Sequence, residues 1–392
     1  MGSSAVHRLI EVVRAVVRVL YRVLPKANYA VLWGWPDHED SIVALERALQ
    51  RSSVRRVVVL MTDRRSPSPQ PSGPKTLRVT KDSFPGWVAF LFARYVFFTH
   101  RCFMRHFPPN VVSVNVWHGM PIKRIGWMCD DDEGIASRYA LATSPFWAEI
   151  MDRAMGPTEG VLTTGLPRND RLFLDPDPVL DALGLRHRDD VTHLVAWLPT
   201  FRRSVRGRIT VDGAPTDTPF EFDADPEELN RFLASRRTVA LVKPHPMAAF
   251  AGEQHWSHLV VVDDAWLRAR GLSLYQVLGA TDALISDVSS VTIDYLLLDR
   301  PVIHAAADLD TYETSRGFSV DDVETLLMGP VATTFSELLV HLDAVLAGED
   351  PDADRRRRVR SRSHSRTDAG ATERLLRTLG LLDGARVPAG MR

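Results

Sequence analysis

Short, nearly continuous apolar runs, each closed by proline, glycine, histidine or serine and each followed by a stretch of helical periodicity, constrain this chain more than any other feature. They fall at 29–33, 54–61, 94–99, 111–117 and 139–143, and again at 193–198, 238–242, 259–262, 283–286 and 302–304. Runs of this length without strict alternation suit strands buried on both faces, as parallel strands under crossover helices are. The predicted class is therefore α/β, with two Rossmann-like, doubly wound domains facing a central cleft. A chain of 392 residues with 45% hydrophobic content can supply both cores. The expected division is residues 1–180 and 181–392, with the junction inside 172–192, where Leu174-Asp-Pro-Asp-Pro178 interrupts regular structure. The proline-rich stretch Ser66–Pro74 reads as a surface loop, and no repeat of 20–50 residues points to a solenoid.

In sheets of this kind ligands gather where strands end, and unusual polar residues stand at those ends. Leu284-Ile-Ser-Asp-Val-Ser-Ser-Val-Thr-Ile-Asp-Tyr295 runs from an apolar strand through small hydroxyls into a helical pattern. The first N–H groups of that helix, with the hydroxyls of Ser289, Ser290 and Thr292, can cradle a phosphate; Asp287 or Ser289 can equally be a plain helix cap. Val239-Ala-Leu-Val-Lys-Pro-His-Pro246 ends a strand in Lys243 and in His245 held between prolines. A stiffly presented imidazole can donate to a pyrophosphate or protonate a leaving group, and can also be an incidental turn residue. In Asn115-Val-Trp-His-Gly-Met-Pro-Ile-Lys-Arg-Ile-Gly126, Gly119 and Pro121 turn the chain just past His118. That ring is a candidate base for an attacking hydroxyl or a packing residue beside Trp117, and Lys123 and Arg124 nearby suit an anionic acceptor. Arg168 in Gly165–Asp170 and Arg202 in Leu198–Arg203 each sit beside a proline turn, as forked phosphate ligands or as surface ion-pair residues.

Other classes lose support. No Gly-x-Gly-x-x-Gly or P-loop fingerprint opens either half, against dinucleotide oxidoreductases and P-loop kinases. A formal net charge of −1 argues against nucleic acid as a partner. Two cysteines, Cys102 and Cys129, lack metal-ligand spacing and suggest a reducing, cytoplasmic setting. No cofactor is called for; Asp287 and Asp294 could hold Mg²⁺, but no pattern specifies it and no metal site is predicted. No run is long enough to cross a bilayer. Residues 6–24 form an amphipathic pattern with Arg8, Arg14, Arg18 and Arg22, either lying on an anionic membrane surface or docked on the first domain. The seven arginines of 355–366 read as a solvated helix face or a patch for phosphate or membrane.

Taken in order, Trp117-His-Gly-x-Pro-x-Lys123, Gly165-x-Pro-Arg-Asn-Asp170, Pro199-Thr-Phe-Arg202, Lys243-Pro-His-Pro246 and Ser286-Asp-x-Ser-Ser-Val291 resemble the CDP-glycerol glycerophosphotransferases of teichoic-acid and capsule assembly. Asp308-Leu-x-x-Tyr312, Arg316-Gly-Phe318, Gly329-Pro330 and Ala371-Thr-Glu-Arg374 extend the resemblance over residues 111–378. It implies a GT-B-like fold with an acceptor-side first domain and a donor-side second domain. It also implies an acceptor hydroxyl attacking the β-phosphorus of a CDP-linked polyol, with release of CMP, at the inner face of the cell membrane. Carried onto these motifs, His118 is the base, and His245, Lys243, Arg202, Asp287, Ser289, Ser290 and Thr292 hold the donor. Lys123, Arg168, Asn169 and Arg316 serve the acceptor or support the site from behind. Met120, Val288 and Ala369 depart from residues common in the family, which leaves the polyol open between glycerol, ribitol and others. Two rival functions fit part of the pattern: a GT-B glycosyltransferase or sugar-nucleotide epimerase, and a non-catalytic membrane-associated assembly protein.

Overall fold

A computed structural model of the chain describes residues 17–382 apart from 18, 67, 70, 101, 130–133, 135, 200–203, 206–207, 210–224, 245–255 and 307–316. Among the described residues the first sheet contains β1 (Ala27–Trp33), β2 (Val57–Met61), β3 (Thr76–Thr80), β4 (Ala93–Phe98), β5 (Val112–Asn115), β6 (Tyr139–Leu141) and β7 (Val161–Leu162). Their order is β3-β2-β1-β4-β5-β6-β7, and every neighbouring pair is parallel. Further along come β8 (His193–Leu198), a short antiparallel pair of β9 (Ser204–Val205) and β10 (Arg208–Ile209), then β11 (Thr238–Val242), β12 (Leu259–Val261), β13 (Ala283–Ser286), β14 (Val302–Ala305) and β15 (Val331–Ala332). The second sheet runs β12-β11-β8-β13-β14-β15, again all parallel.

Both faces of the first sheet are covered, which is why its strands read as unbroken apolar runs. Ala30, Leu32, Val59, Phe97 and Val114 pack with the helix Asp40–Leu49 on one side, while Val31, Val58, Leu60, Val96 and Phe98 pack with Phe90 and Tyr21 on the other. Helix boundaries follow local chemistry. Ser144 caps the Trp147 N–H ahead of Pro145, and Gly156, at φ 52°, ends that helix in the left-handed conformation. Strands β3, β7, β9, β10 and β15 were not foreseen. Two-residue strands leave no apolar run to detect, and β3 is an edge strand whose Leu77 is exposed.

After β15 the chain returns to the first half. Thr143 Oγ1 donates to the Ser363 carbonyl at 2.6 Å, and Ser53 N donates to that of Leu381 at 2.9 Å. The arginine run forms the helix Ala353–Ser363, and it is not uniformly a solvated face. Arg356 is buried and bonds Asp299 at 3.2 Å and Asp350 at 2.8 and 2.7 Å, while Arg357, Arg358 and Arg362 are exposed. No helix among the described residues is long and apolar enough to cross a membrane. Most of the 6–24 segment lies outside the described residues.

The carboxylate of Asp170, in the Gly165–Asp170 motif, accepts the N–H groups of Ala371 at 2.8 Å and Thr372 at 2.9 Å, and so caps the helix Ala371–Thr378 from another part of the chain. Asp170→Ala is expected to lower stability by about 1–2 kcal/mol, the usual worth of a helix cap, seen as an earlier denaturant midpoint.

Candidate functional site

The two sheets bring their carboxyl ends together. Strand order reverses at β1/β4 in the first sheet and at β8/β13 in the second, so the loops leaving these strands are where a ligand is expected. The first contributes Gly34 and Trp35 after β1, Thr99 and His100 after β4, and Trp117–Gly119 after β5. The second contributes Pro199 after β8, Lys243 after β11 and Asp287–Ser290 after β13.

Gly119 marks a close approach of the two halves. Its φ is +124°, and a Cβ there would meet Ser290 Oγ at 2.5 Å and Ser290 Cβ at 2.7 Å, as well as the Arg168 guanidinium. Glycine is required both by its backbone angle and by this contact. Lys123 Nζ lies 3.7 Å from the buried Asp287 Oδ2, and Arg124 N donates to the Gly317 carbonyl at 3.2 Å. The turn after His118 is thereby seated on the helix start of the other half.

His118 is half-buried, with Nδ1 3.4 Å from the Thr99 carbonyl. A carbonyl can only accept, so Nδ1 carries the proton in the neutral ring and Nε2 is the basic nitrogen. The preceding Trp117 takes φ +47°, an unusual angle for a bulky residue, and its N–H donates to Asn115 Oδ1 at 3.1 Å. Behind Gly119, Arg168 is buried and ion-paired with Asp294, which also accepts the Tyr275 hydroxyl at 2.6 Å. The guanidinium lies 4.7 Å over the Tyr275 ring and 3.8 Å from Glu39 Oε1.

Several expected ligands are placed differently from a simple phosphate cradle. Arg168 is buried and occupied by carboxylates, not exposed at the surface. Thr292 gives its hydroxyl proton to the Ser289 carbonyl at 2.7 Å. Lys243 is buried, with its ammonium 3.1 Å from Asp264 Oδ1. Asn169 is buried next to Arg168. Ser289 and Ser290 are half-buried at the start of the short helix Ser290–Tyr295; Ser289 makes no side-chain cap bond there. The two carboxylates weighed for Mg²⁺ each face a cation of the protein, Lys123 beside Asp287 and Arg168 beside Asp294. Among the described residues no group of three or more His, Cys, Asp or Glu is arranged to hold a metal. His245, Arg202 and Arg316 lie outside the described residues, as do Asp308 and Tyr312.

Sequence reasoning missed Glu39, His100 and Tyr275. Glu39 caps the first helix through the Ser41 N–H at 2.8 Å, and nothing in a Glu-Asp pair after a turn announces burial. His100 follows directly on the predicted strand 94–99, and the strand-end rule applied to the other polar clusters would have found it.

Fold and site together define a GT-B-like α/β chain whose two halves share one polar centre at their strand ends. The chain belongs to the CDP-Glycerol:Poly(glycerophosphate) glycerophosphotransferase family, whose model matches residues 17–381. Among its relatives, the teichoic acid ribitol-phosphate polymerase TarL of Staphylococcus aureus is 29% identical over 244 residues, covering 60% of this chain and 39% of that protein. The teichoic acid glycerol-phosphate transferase of the same organism is 24% identical over 295 residues, covering 69% and 72%. The chain spans 39% and 53% of the length of the two ribitol-phosphate polymerases, TarL and TarK, that it matches. The solved structure of the wall teichoic acid polymerase TagF superposes with a TM-score of 0.71 at 20% identity, covering 96% of this chain and 97% of that one.

Burial pushes the Glu39 carboxyl up to about 7, against the opposing pull of Arg168. A raised carboxyl binds its proton more tightly in the folded state, so stability falls as pH rises from the ordinary carboxylate range through about 7. Glu39→Gln should flatten that decline and raise the unfolding free energy at pH 8 by at most about 3 kcal/mol, as measured by denaturant titrations at pH 5 and pH 8.

Proposed function

We propose that this chain transfers a polyol phosphate, glycerol phosphate in the first instance, from a CDP-linked donor to a hydroxyl of a teichoic-acid-like, capsular or lipid-linked acceptor, releasing CMP. Family membership supports the donor class. The structural observation that supports the reading is the seating of the His118–Gly119 turn of one half on Ser290, at a helix start of the other. In this reading residues 1–180 form the acceptor side and 181–392 the donor side.

His118 Nε2 takes the proton of the acceptor hydroxyl as its oxygen attacks the β-phosphorus. One phosphorus–oxygen bond forms, the bond to the CMP oxygen breaks, and the negative charge passes to CMP. The step needs in-line alignment and neutralisation of the phosphoryl oxygens. Lys243, Ser289 and Ser290, with His245 and Arg202, are assigned to the donor and its pyrophosphate. Lys123, Asn169 and Arg316 are assigned to the acceptor side, with Arg168, Asp287 and Thr292 holding the frame. Only groups on the chain take part in these steps, and no metal is invoked in them.

A lipid-linked acceptor would place the protein at the inner face of the membrane, on an anionic surface. Supporting this, the helical segment 19–23 exposes Val19 (62%) and Val23 (68%) beside the helix Phe84–Phe92, which exposes Phe84 (82%). Tyr21 joins the two by stacking on Phe90 at 5.3 Å. Flotation with vesicles of anionic phospholipid should recover the protein, and a Val19→Ser/Val23→Ser/Phe84→Ser variant should stay in the lower fraction. Undiminished flotation of the variant would remove this surface from consideration.

The transfer itself is tested with a panel of CDP- and UDP-linked donors and a lipid-linked acceptor. CMP release with a phosphodiester product is expected, and His118→Ala should lower turnover about 10²–10⁴-fold while donor affinity changes little. Release of a nucleoside diphosphate with a glycosidic product would replace this reading by a glycosyltransferase, and binding without turnover of any donor would leave an assembly protein.

A further inference from the structure

His100 stands at the switch point of the first sheet and has no place in the scheme above. It follows β4, and its ring lies flat against His118, with centroids 4.1 Å apart and planes inclined by 5°. Trp35 meets it edge-on at 5.3 Å and Trp117 lies 5.7 Å away at 29°. One residue ties both imidazoles to the strand end: the Thr99 carbonyl is 3.4 Å from His118 Nδ1, and the Thr99 hydroxyl is 3.1 Å from His100 Nδ1. That hydroxyl also accepts the Trp35 N–H at 3.1 Å, so its own proton is available to His100 Nδ1.

We propose that His100 is a positioning residue for phosphoryl transfer, its flat ring holding His118 in the orientation that receives the acceptor proton. The inference rests on the reading of His118 as the base. Three restraints act on the His118 ring: the Thr99 carbonyl sets which nitrogen is protonated, Trp117 packs at 4.2 Å, and His100 closes the opposite degree of freedom, rotation out of the plane. His100 suits this role because it stays uncharged beside a ring that becomes cationic. Burial, with the Lys81 and Arg168 cations, pushes it down to about 4. Lys81 is held by the Gly34 carbonyl and Asp37, Arg168 by Asp294, and Lys123 by Asp287, so each nearby cation has a carboxylate partner. A neutral stacked ring can therefore remain in place through the proton transfer, whereas a charged one would repel the imidazolium.

The test uses the full chain with CDP-glycerol and a lipid-linked acceptor, measuring kcat from CMP release and donor affinity by calorimetry. His100→Ala should lower kcat about 10–100-fold, the scale of a misplaced catalytic group, with donor affinity unchanged within about twofold. His100→Phe, which restores a flat ring and carries no charge, should recover most of that loss. Melting curves establish that each variant is folded; should His100→Ala not fold, His100→Asn carries the same expectation. A kcat for His100→Ala within about twofold of the parent, or a His100→Phe as slow as His100→Ala, overturns the proposal. His118→Ala run in parallel separates the two readings. Turnover that survives it removes the base assignment and this role with it; turnover lost there and intact in His100→Ala removes the positioning role alone.

Discussion

A buried guanidinium decides how the halves of this molecule meet. Stripping Arg168 of water costs several kcal/mol, recovered only if its partners are close and fixed. Those partners come from separate stretches: Asp294 and the Tyr275 ring from the second half, and Glu39 from the cap of the first helix. Moving either half by an ångström or two would leave charges unpaired in a low-dielectric interior. A second link beside it, Arg171 Nε to Asp40 at 2.7 Å and to Ser273 at 2.9 Å, repeats the arrangement one turn on. The segment Pro167–Phe173 that carries both arginines is thus a wedge between the helix Asp40–Leu49 of the first half and the helix Leu274–Gly279 of the second.

The chemistry of the site follows from that wedge. Because Gly119 rests on both Arg168 and Ser290, the position of His118 relative to the Ser290 helix is inherited from the ion pair behind it. Residues in direct view of the site, such as Ser289 and Ser290, keep partial exposure, while Arg168, Asp294 and Thr292 are spent on one another and on the backbone. A motif residue can thus fix geometry from within the protein, and Asp170, capping a helix two hundred residues away, does the same.

Much of this was legible before any coordinates. Ten apolar runs marked ten of the parallel strands because a strand covered on both faces must be apolar throughout. The strand ends marked the candidate site because a turn out of a buried strand is where polar groups can reach a ligand. Burial of individual charges was not legible. Arg356 and Arg357 are adjacent and chemically identical, yet one is buried between two aspartates and the other is exposed; only the docking of their helix distinguishes them. Lys243 read as a ligand of the donor, and its partner Asp264 arrives from the helix beyond the next strand.

By itself the sequence determined the α/β class, the two strand series and the turns at which chemistry concentrates, since these depend on local periodicity and on the backbone limits of proline and glycine. Tertiary structure alone decided which polar residues face one another: His100 against His118, Arg168 against Asp294, Gly119 against Ser290. The physical reason is range. Hydrophobic patterning is written over a few neighbouring residues, whereas an ion pair or ring stack forms between groups whose separation along the chain carries no trace of the contact.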